Sequence, residues 1–245
     1  MYVISGKNLA ELNMPSVCPT CFKIKIKLES QPPIDKKKVP FQMPFPGVFS
    51  VLDSHVKSVI KKYFDIYKSV PSWFPNLGKK VIKIEPPPAW QEFNCYLPDY
   101  DIKLTGSIDT ILKLEDGSFV IGDFKTATVT TTQDMLESLY KAQLHIYRKI
   151  AEVKNIFQPV KKLVLIYTEP ISFNENGDYY SLNSFINNFH LHFRIKKKDL
   201  DIDENLVPNL LKKFIEIMRN PHPQKLDLCS NCILRERLKL EENNL

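Results

Sequence analysis

Two acids and a lysine, Asp109, Asp123 and Lys125, are the residues from which chemistry could start in this chain. They sit in three short stretches: Gly106-Ser107-Ile108-Asp109, Gly122-Asp123-Phe124-Lys125-Thr126, and Gln143-Leu144-His145-Ile146-Tyr147. Magnesium and manganese prefer oxygen ligands, and magnesium often takes only one or two carboxylates, with water and phosphate completing its shell. Asp109 and Asp123 offer two carboxylates, and the carbonyl of Phe124 offers a third oxygen. A cation held this way acidifies bound water and offsets the charge of a phosphodiester. Lys125 lies two residues beyond Asp123 and shares its face if the segment is a strand. There its ammonium can orient the attacking water or stabilise developing charge. Asp-x-Lys alone is more often a surface ion pair; the order of all three stretches makes an accident much less frequent.

The elements that must position these groups can be read around them. Residues 110–121 run strand, Asp116-Gly117 turn, strand, which folds the chain so that Asp109 and Asp123 meet at one end of a hairpin. Residues 133–153 have helical periodicity, with Leu136, Leu139, Tyr140, Gln143, Tyr147 and Ile150 on one face. Gln143 and Tyr147, at i and i+4, are neighbours there. Upstream, residues 50–68 form an amphipathic helix through Leu52, Val56, Val59, Tyr63 and Tyr67. Residues 5–14 suggest a short helix. Residues 22–28 alternate Phe-Lys-Ile-Lys-Ile-Lys-Leu and suggest a strand with a lysine face. Residues 30–48 and 69–79 read as irregular, and short strands are expected over 80–85, 91–97, 101–114, 118–125 and 160–168. One or two more strands over 178–197, with His190, His192 and Arg194 on one face, precede a closing helix over 203–219. The sum is α+β: a mixed central sheet flanked by helices, with a cysteine-bearing cap built from both terminal regions. We read residues 1–245 as one domain, with a helical and loop region (18–79), a core (80–170) and a C-terminal region (171–245).

On these residues the chain resembles the PD-(D/E)xK nuclease superfamily, in its branch similar to Cas4 and the RecB nuclease domain. The family pattern is Gly-x-x-Asp, then (Asp/Glu)-x-Lys with Thr commonly following, then Gln-x-x-x-Tyr. It falls here on Gly106, Asp109, Asp123, Lys125, Thr126, Gln143 and Tyr147. The resemblance covers about forty residues and implies a restriction-endonuclease-like core. It implies Asp109 and Asp123 as ligands of Mg²⁺ or Mn²⁺, and Lys125 as a catalytic lysine. Gln143 and Tyr147 become groups that support the site or touch DNA. In this branch an upstream helix often gives the metal a histidine, which makes His55 a candidate, although Val51 stands where a small residue usually does; Asp53 is its rival. The implied activity is metal-dependent hydrolysis of DNA, single-stranded or at ends, in repair, recombination or CRISPR-adaptation-type processing. The alternatives are a non-catalytic nucleic-acid-binding module and an assembly subunit that retain the fold.

Five cysteines include two C-x-x-C pairs, Cys18/Cys21 and Cys229/Cys232, with Cys95 alone. Four thiolates form a closed tetrahedral zinc site or hold an iron–sulfur cluster. In the resembling nucleases one N-terminal and three C-terminal cysteines surround [4Fe–4S]. Here Cys18-Pro19, Cys229 and Cys232 match, the third C-terminal cysteine is missing, and Cys21 makes up the count. Zinc and [4Fe–4S] both fit, with the resemblance leaning to the cluster. Cys95 reads as a buried thiol.

Bulk properties set bounds. The chain has 245 residues, 43% hydrophobic and 25% charged, which suits a soluble globular fold with a sizeable core. Gly is scarce at 7 and Pro frequent at 18, so loops should be stiff. No apolar run approaches the ~20 residues of a membrane helix, and the N-terminus lacks a long apolar leader segment, so an intracellular, cytoplasmic protein is expected. A net charge of +6 permits a polyanionic partner. Lys23/Lys25/Lys27, Lys36-Lys37-Lys38, Lys61-Lys62, Lys79-Lys80 and Arg194 to Lys198 are candidate phosphate contacts. Phe22, Phe41, Phe45, Trp73 and Trp90 are candidate platforms for unpaired bases. Protein partners are possible, and oligomeric state is open.

Overall fold

A hairpin of two apolar strands organises the molecule. In a computed structural model, which describes residues 1–30, 47–127, 131–171 and 192–243, β5 (Thr110–Leu114) and β6 (Phe119–Thr126) pair antiparallel, with Thr110 opposite Gly122. Their turn has the chemistry the Asp-Gly pair requires. Gly117 takes a φ of +81°, and Asp116 Oδ1 accepts from the Ser118 backbone at 3.1 Å. Lys79 pairs with Asp116 at 2.5 Å and ties the turn down.

The hairpin lies inside a five-stranded mixed sheet of order β2-β5-β6-β7-β8, with β2 (Val81–Glu85), β7 (Val160–Pro170) and β8 (Phe193–Leu200). β6 and β7 run parallel, and the long helix α4 (Thr131–Val153) connects them; the other pairs are antiparallel. Such a crossover helix covers one face of its sheet. Here α3 (Gly47–Tyr67) covers the other, so β6 is buried on both faces for its first six residues. Two apolar clusters record the sandwich. Ile111, Ile121, Leu163, Leu165 and Tyr167 pack on the α4 side with Leu144, Ile146 and Ile150. Leu112, Val120, Phe124, Val164 and Ile166 pack on the α3 side with Ile60 and Phe64.

A separate three-stranded sheet, order β1-β4-β3, holds β1 (Tyr2–Ser5) parallel to β4 (Ile102–Thr105) and β3 (Asn94–Leu97) antiparallel to it. The expected strand over 101–114 is therefore two strands in two sheets, divided at Gly106–Asp109. After β1 come α1 (Gly6–Ala10), capped by Ser5, and a 3-10 turn over Glu11–Asn13. The C-terminal region adds α5 (Leu206–Arg219) and α6 (Ser230–Asn243).

The expected strand over 22–28 is a helix, α2 (Pro19–Glu29), begun by Cys18 at its N-cap and Pro19 in its first turn. Phe22 and Ile26, four apart, are its buried residues together with Lys23, and Phe22 meets Phe214 of α5 edge-on at 6.2 Å. This removes the lysine face. Lys23 is buried and donates to the Asn220 carbonyl, while Lys25 pairs with Glu11 at 2.5 Å. It also removes Phe22 as a base-stacking platform; Trp73 and Trp90 are exposed. Lys36, Lys37, Lys38, Phe41, Phe45 and His190, and the strand expected before residue 192, lie outside the described residues. Among the described residues no helix is long and apolar enough to cross a membrane.

Candidate active site and cysteine centre

Asp109 and Asp123 meet because the hairpin's open end puts them beside one another. Asp109 ends the loop from β4, one residue before the Thr110–Gly122 pair, and Asp123 follows Gly122. Gly122 permits the approach, since a Cβ there would stand 2.8 Å from Thr110 Cγ2. Asp109 Oδ2 accepts from the Phe124 backbone N–H at 3.0 Å. Phe124 thus joins the site through its main chain, while its ring packs under α3.

Asp123 is buried, at 4% exposure. Its Oδ2 makes an ion pair with Lys125 but finds no well-directed hydrogen bond among the described residues. Burial raises the Asp123 carboxyl to about 7; the Lys125 ammonium opposes the rise and the Asp109 carboxylate adds to it. Lys125, on the same face of β6, lies over the Tyr140 ring of α4 at 4.2 Å from its centroid. These are the side chains and burial that a small hard cation needs: two carboxylates close together, one of them dry and poorly satisfied.

The third group at the carboxylates was not foreseen. Lys57 of α3 places Nζ 2.8 Å from Asp109 Oδ1 and 2.7 Å from Asp53 Oδ2. Burial lowers its basicity, but the two carboxylates outweigh that and hold it above the ordinary lysine range. Asp53 and Lys57 are one helical turn apart and face inward. His55, two residues from Asp53, is on the exposed side of the helix and does not join Asp109 and Asp123. A 3.6-residue repeat turns residue i+2 away from residue i, so of the two rival candidates it is Asp53, through Lys57, that is linked to Asp109. The Asp-x-x-x-Lys spacing at 53 and 57 was the available signal.

Gln143 and Tyr147 stand on the α4 face beneath the site. Gln143 Nε2 donates to Tyr147 Oη at 2.9 Å, and the buried Tyr147 ring lies against two glycines. A Cβ at Gly6 or at Gly106 would come within 2.8 Å of Tyr147 Cε1. Phe93 meets the ring edge-on, with centroids 6.0 Å apart. Burial, against the Gln143 hydrogen bond, pushes the phenol up to about 12. Tyr147 therefore acts as a packing block under the Gly106–Asp109 loop. Beside it, His145 is fully enclosed: its Nδ1 lies 2.7 Å from the Lys141 carbonyl, and its Nε2 accepts from the Asp203 backbone N–H at 2.9 Å. Burial lowers its basicity, and backbone groups face both ring nitrogens, so it is a structural imidazole.

The four paired cysteines come together although 208 residues separate Cys21 from Cys229. Their sulfurs all lie within 4.8 Å of one another. Cys95 is elsewhere, buried in the core, where burial raises its thiol to about 11. Among the four, burial raises Cys18, but backbone N–H groups of Cys21 and Leu226 win and bring it down to about 6; burial raises Cys21.

A sequence description of the PD-(D/E)XK nuclease superfamily matches residues 51–237. No curated protein matches. The crystal structure of SSO0001 is similar at 14% identity, covering 90% of this chain and 78% of that one with a TM-score of 0.43, a likeness that carries no argument.

Proposed function

The chain belongs to the PD-(D/E)XK nuclease superfamily, and from that premise we propose that it is a Mg²⁺- or Mn²⁺-dependent deoxyribonuclease of the Cas4/RecB-like branch, folded as one domain and acting on single-stranded DNA or DNA ends. The observation that carries this reading is the pair Asp109 and Asp123 at one hairpin end, with Lys125 on the same strand face as Asp123.

Asp109 and Asp123 are the groups that would hold the cation. Two features of the site support that fit: the dry Oδ2 of Asp123, without a well-directed donor among the described residues, and the Lys57 ammonium already drawn to Asp109. When bound, such a cation supplies Lewis acidity to water and phosphate. Lys125 acts beside it as a second positive charge, aimed by Asp123 and by the Tyr140 ring, and orients water or offsets charge that develops on phosphate. The Phe124 N–H fixes the Asp109 carboxylate, and Tyr147 supports the loop that delivers it. Lys57 offsets part of the negative charge of Asp109 and Asp53. A role in repair, recombination or CRISPR-adaptation-type processing is the setting such chemistry serves, in the cytoplasm.

The test is cleavage of end-labelled single- and double-stranded DNA with Mg²⁺ or Mn²⁺, comparing the wild type with Asp109→Ala and Lys125→Ala. Cleavage that disappears in both variants and with chelator is the expected result. Cleavage that persists unchanged in both would overturn the assignment. DNA binding without cleavage by the wild type would favour the non-catalytic binding module.

A further inference from the structure

The cysteine centre sits about as far from the nuclease motif in sequence as this chain allows, and its geometry speaks to which metal it takes. Three sulfur–sulfur contacts are short: Cys18–Cys232 at 3.7 Å, Cys21–Cys229 at 3.6 Å and Cys21–Cys232 at 3.3 Å. One zinc ion binds four thiolates at about 2.3 Å in a tetrahedron, whose edge is then about 3.8 Å. The contacts are close to that edge. A four-iron cluster puts a separate iron under each thiolate and a cube of iron and sulfide between them. It spreads the thiolates well beyond the 4.8 Å within which all four sulfurs lie here. A cavity of about 630 Å³ is lined by Cys18, Cys21 and Cys229 but not by Cys232. A cube would have to pull Cys21 away from both Cys229 and Cys232 to enter.

The surroundings suit one compact anionic centre. Each C-x-x-C straddles a helix start: Cys18 is the N-cap of α2, and Cys229 immediately precedes α6. Both helices therefore turn their positive ends toward the sulfurs. Arg235, one turn beyond Cys232, lines a hollow with Cys21, and its buried Nε finds no acceptor among the described residues. These groups offset the net negative charge of a metal with four thiolates.

We propose that Cys18, Cys21, Cys229 and Cys232 hold a single tetrahedral zinc ion rather than an iron–sulfur cluster, and that this ion fastens α2 to α6. The third C-terminal cysteine of the resembling cluster proteins is missing because Cys21 completes a four-ligand zinc set of two chelating pairs. The inference rests on sulfur geometry and stands apart from the nuclease reading, so either can fail alone.

The test is metal and sulfide analysis of the full chain purified without air from cells supplied with both iron and zinc, followed by Co²⁺ exchange. About one zinc per chain, negligible iron and sulfide, and the visible spectrum of tetrahedral Co²⁺–thiolate after exchange are expected. About four irons with matching sulfide and a brown colour would overturn the proposal, as would protein that holds no metal and leaves all four thiols open to alkylation. Cys21→Ser should lower zinc retention at least tenfold on dialysis against a mild chelator, whereas Cys95→Ala should leave it unchanged. If Cys21→Ser is insoluble, Cys229→Ser, at a half-buried position, provides the same readout.

Discussion

Replacing Gly106 by alanine tests whether the Tyr147 ring sets the position of Asp109. A methyl at Gly106 would lie 2.8 Å from Tyr147 Cε1, 2.9 Å from Tyr147 Cδ1 and 3.0 Å from Phe93 Cδ1. Ordinary carbon contacts are about 3.5–4.0 Å, so three carbons must each give by about half an ångström or more. The ring has little room to yield: a Cβ at Gly6 would also come within 2.8 Å of Cε1, and Gln143 holds its hydroxyl at 2.9 Å. Overpacking of this kind costs about 1–3 kcal/mol. For a chain of this size each kcal/mol shifts Tm by roughly 2–4 °C, so the variant should melt roughly 2–12 °C lower. The loop carrying Asp109 should move with it, and a displacement of about 1 Å can cost roughly 100-fold in rate. Urea unfolding of Gly106→Ala, Tyr147→Leu and the double variant isolates the contact. With the ring gone, the alanine should cost little, giving a coupling of about 1 kcal/mol or more. A Gly106→Ala protein as stable as the wild type, or effects that simply add, would refute this account of the loop.

Other outcomes follow from the same geometry. Lys57→Met removes the ammonium that competes for Asp109, so Mn²⁺ should bind about tenfold more tightly by calorimetry; unchanged or weaker binding would remove Lys57 from the site. Asp123→Asn should stabilise the protein at pH 8 without added divalent cation. The folded carboxyl, at about 7, holds its proton where the unfolded one, near 3.8, has lost it. Wild-type stability from this group is thus full below about pH 4 and declines as pH rises through 7, and melting across pH should show the variant without that decline. His145 works in the opposite direction. Its folded basicity lies below the ordinary 6.5, so its contribution is present above pH 6.5 and is lost as pH falls below it. His145→Gln should flatten that acid-side loss in the same melts.

The hairpin and α4 were legible because their signals are local: an Asp-Gly turn between apolar runs, and a helical stripe long enough to be unambiguous. Asp109 and Asp123 could be brought together on that basis alone. What escaped depended on contacts distant in sequence. Residues 22–28 alternate like a strand, yet α5 and the cysteine centre reward a helix, which puts Phe22 against Phe214 and Cys18 at an N-cap. Strand β1 is too short to announce itself and exists by pairing with β4, about a hundred residues later. Helix α6 went unread because only Cys232 among its side chains with known surroundings is buried. Lys57 was hidden for another reason: a lysine on an amphipathic helix reads as solvated until its partner Asp109 is placed above it.

The joining of Cys18 and Cys21 to Cys229 and Cys232 also orders events in time. At about 5–20 residues per second, the ribosome needs roughly 10–40 s to make the 208 residues between Cys21 and Cys229. Throughout that interval the first thiol pair stands without the second, and until its last stretch α2 also lacks α5, against which Phe22 packs. The hairpin, α4 and β7 are all synthesised before the second pair emerges. Asp109 and Asp123 can therefore meet before α6 is made, and a chain interrupted before Cys229 would carry both carboxylates and Lys125 together with an open thiol pair that marks it as unfinished.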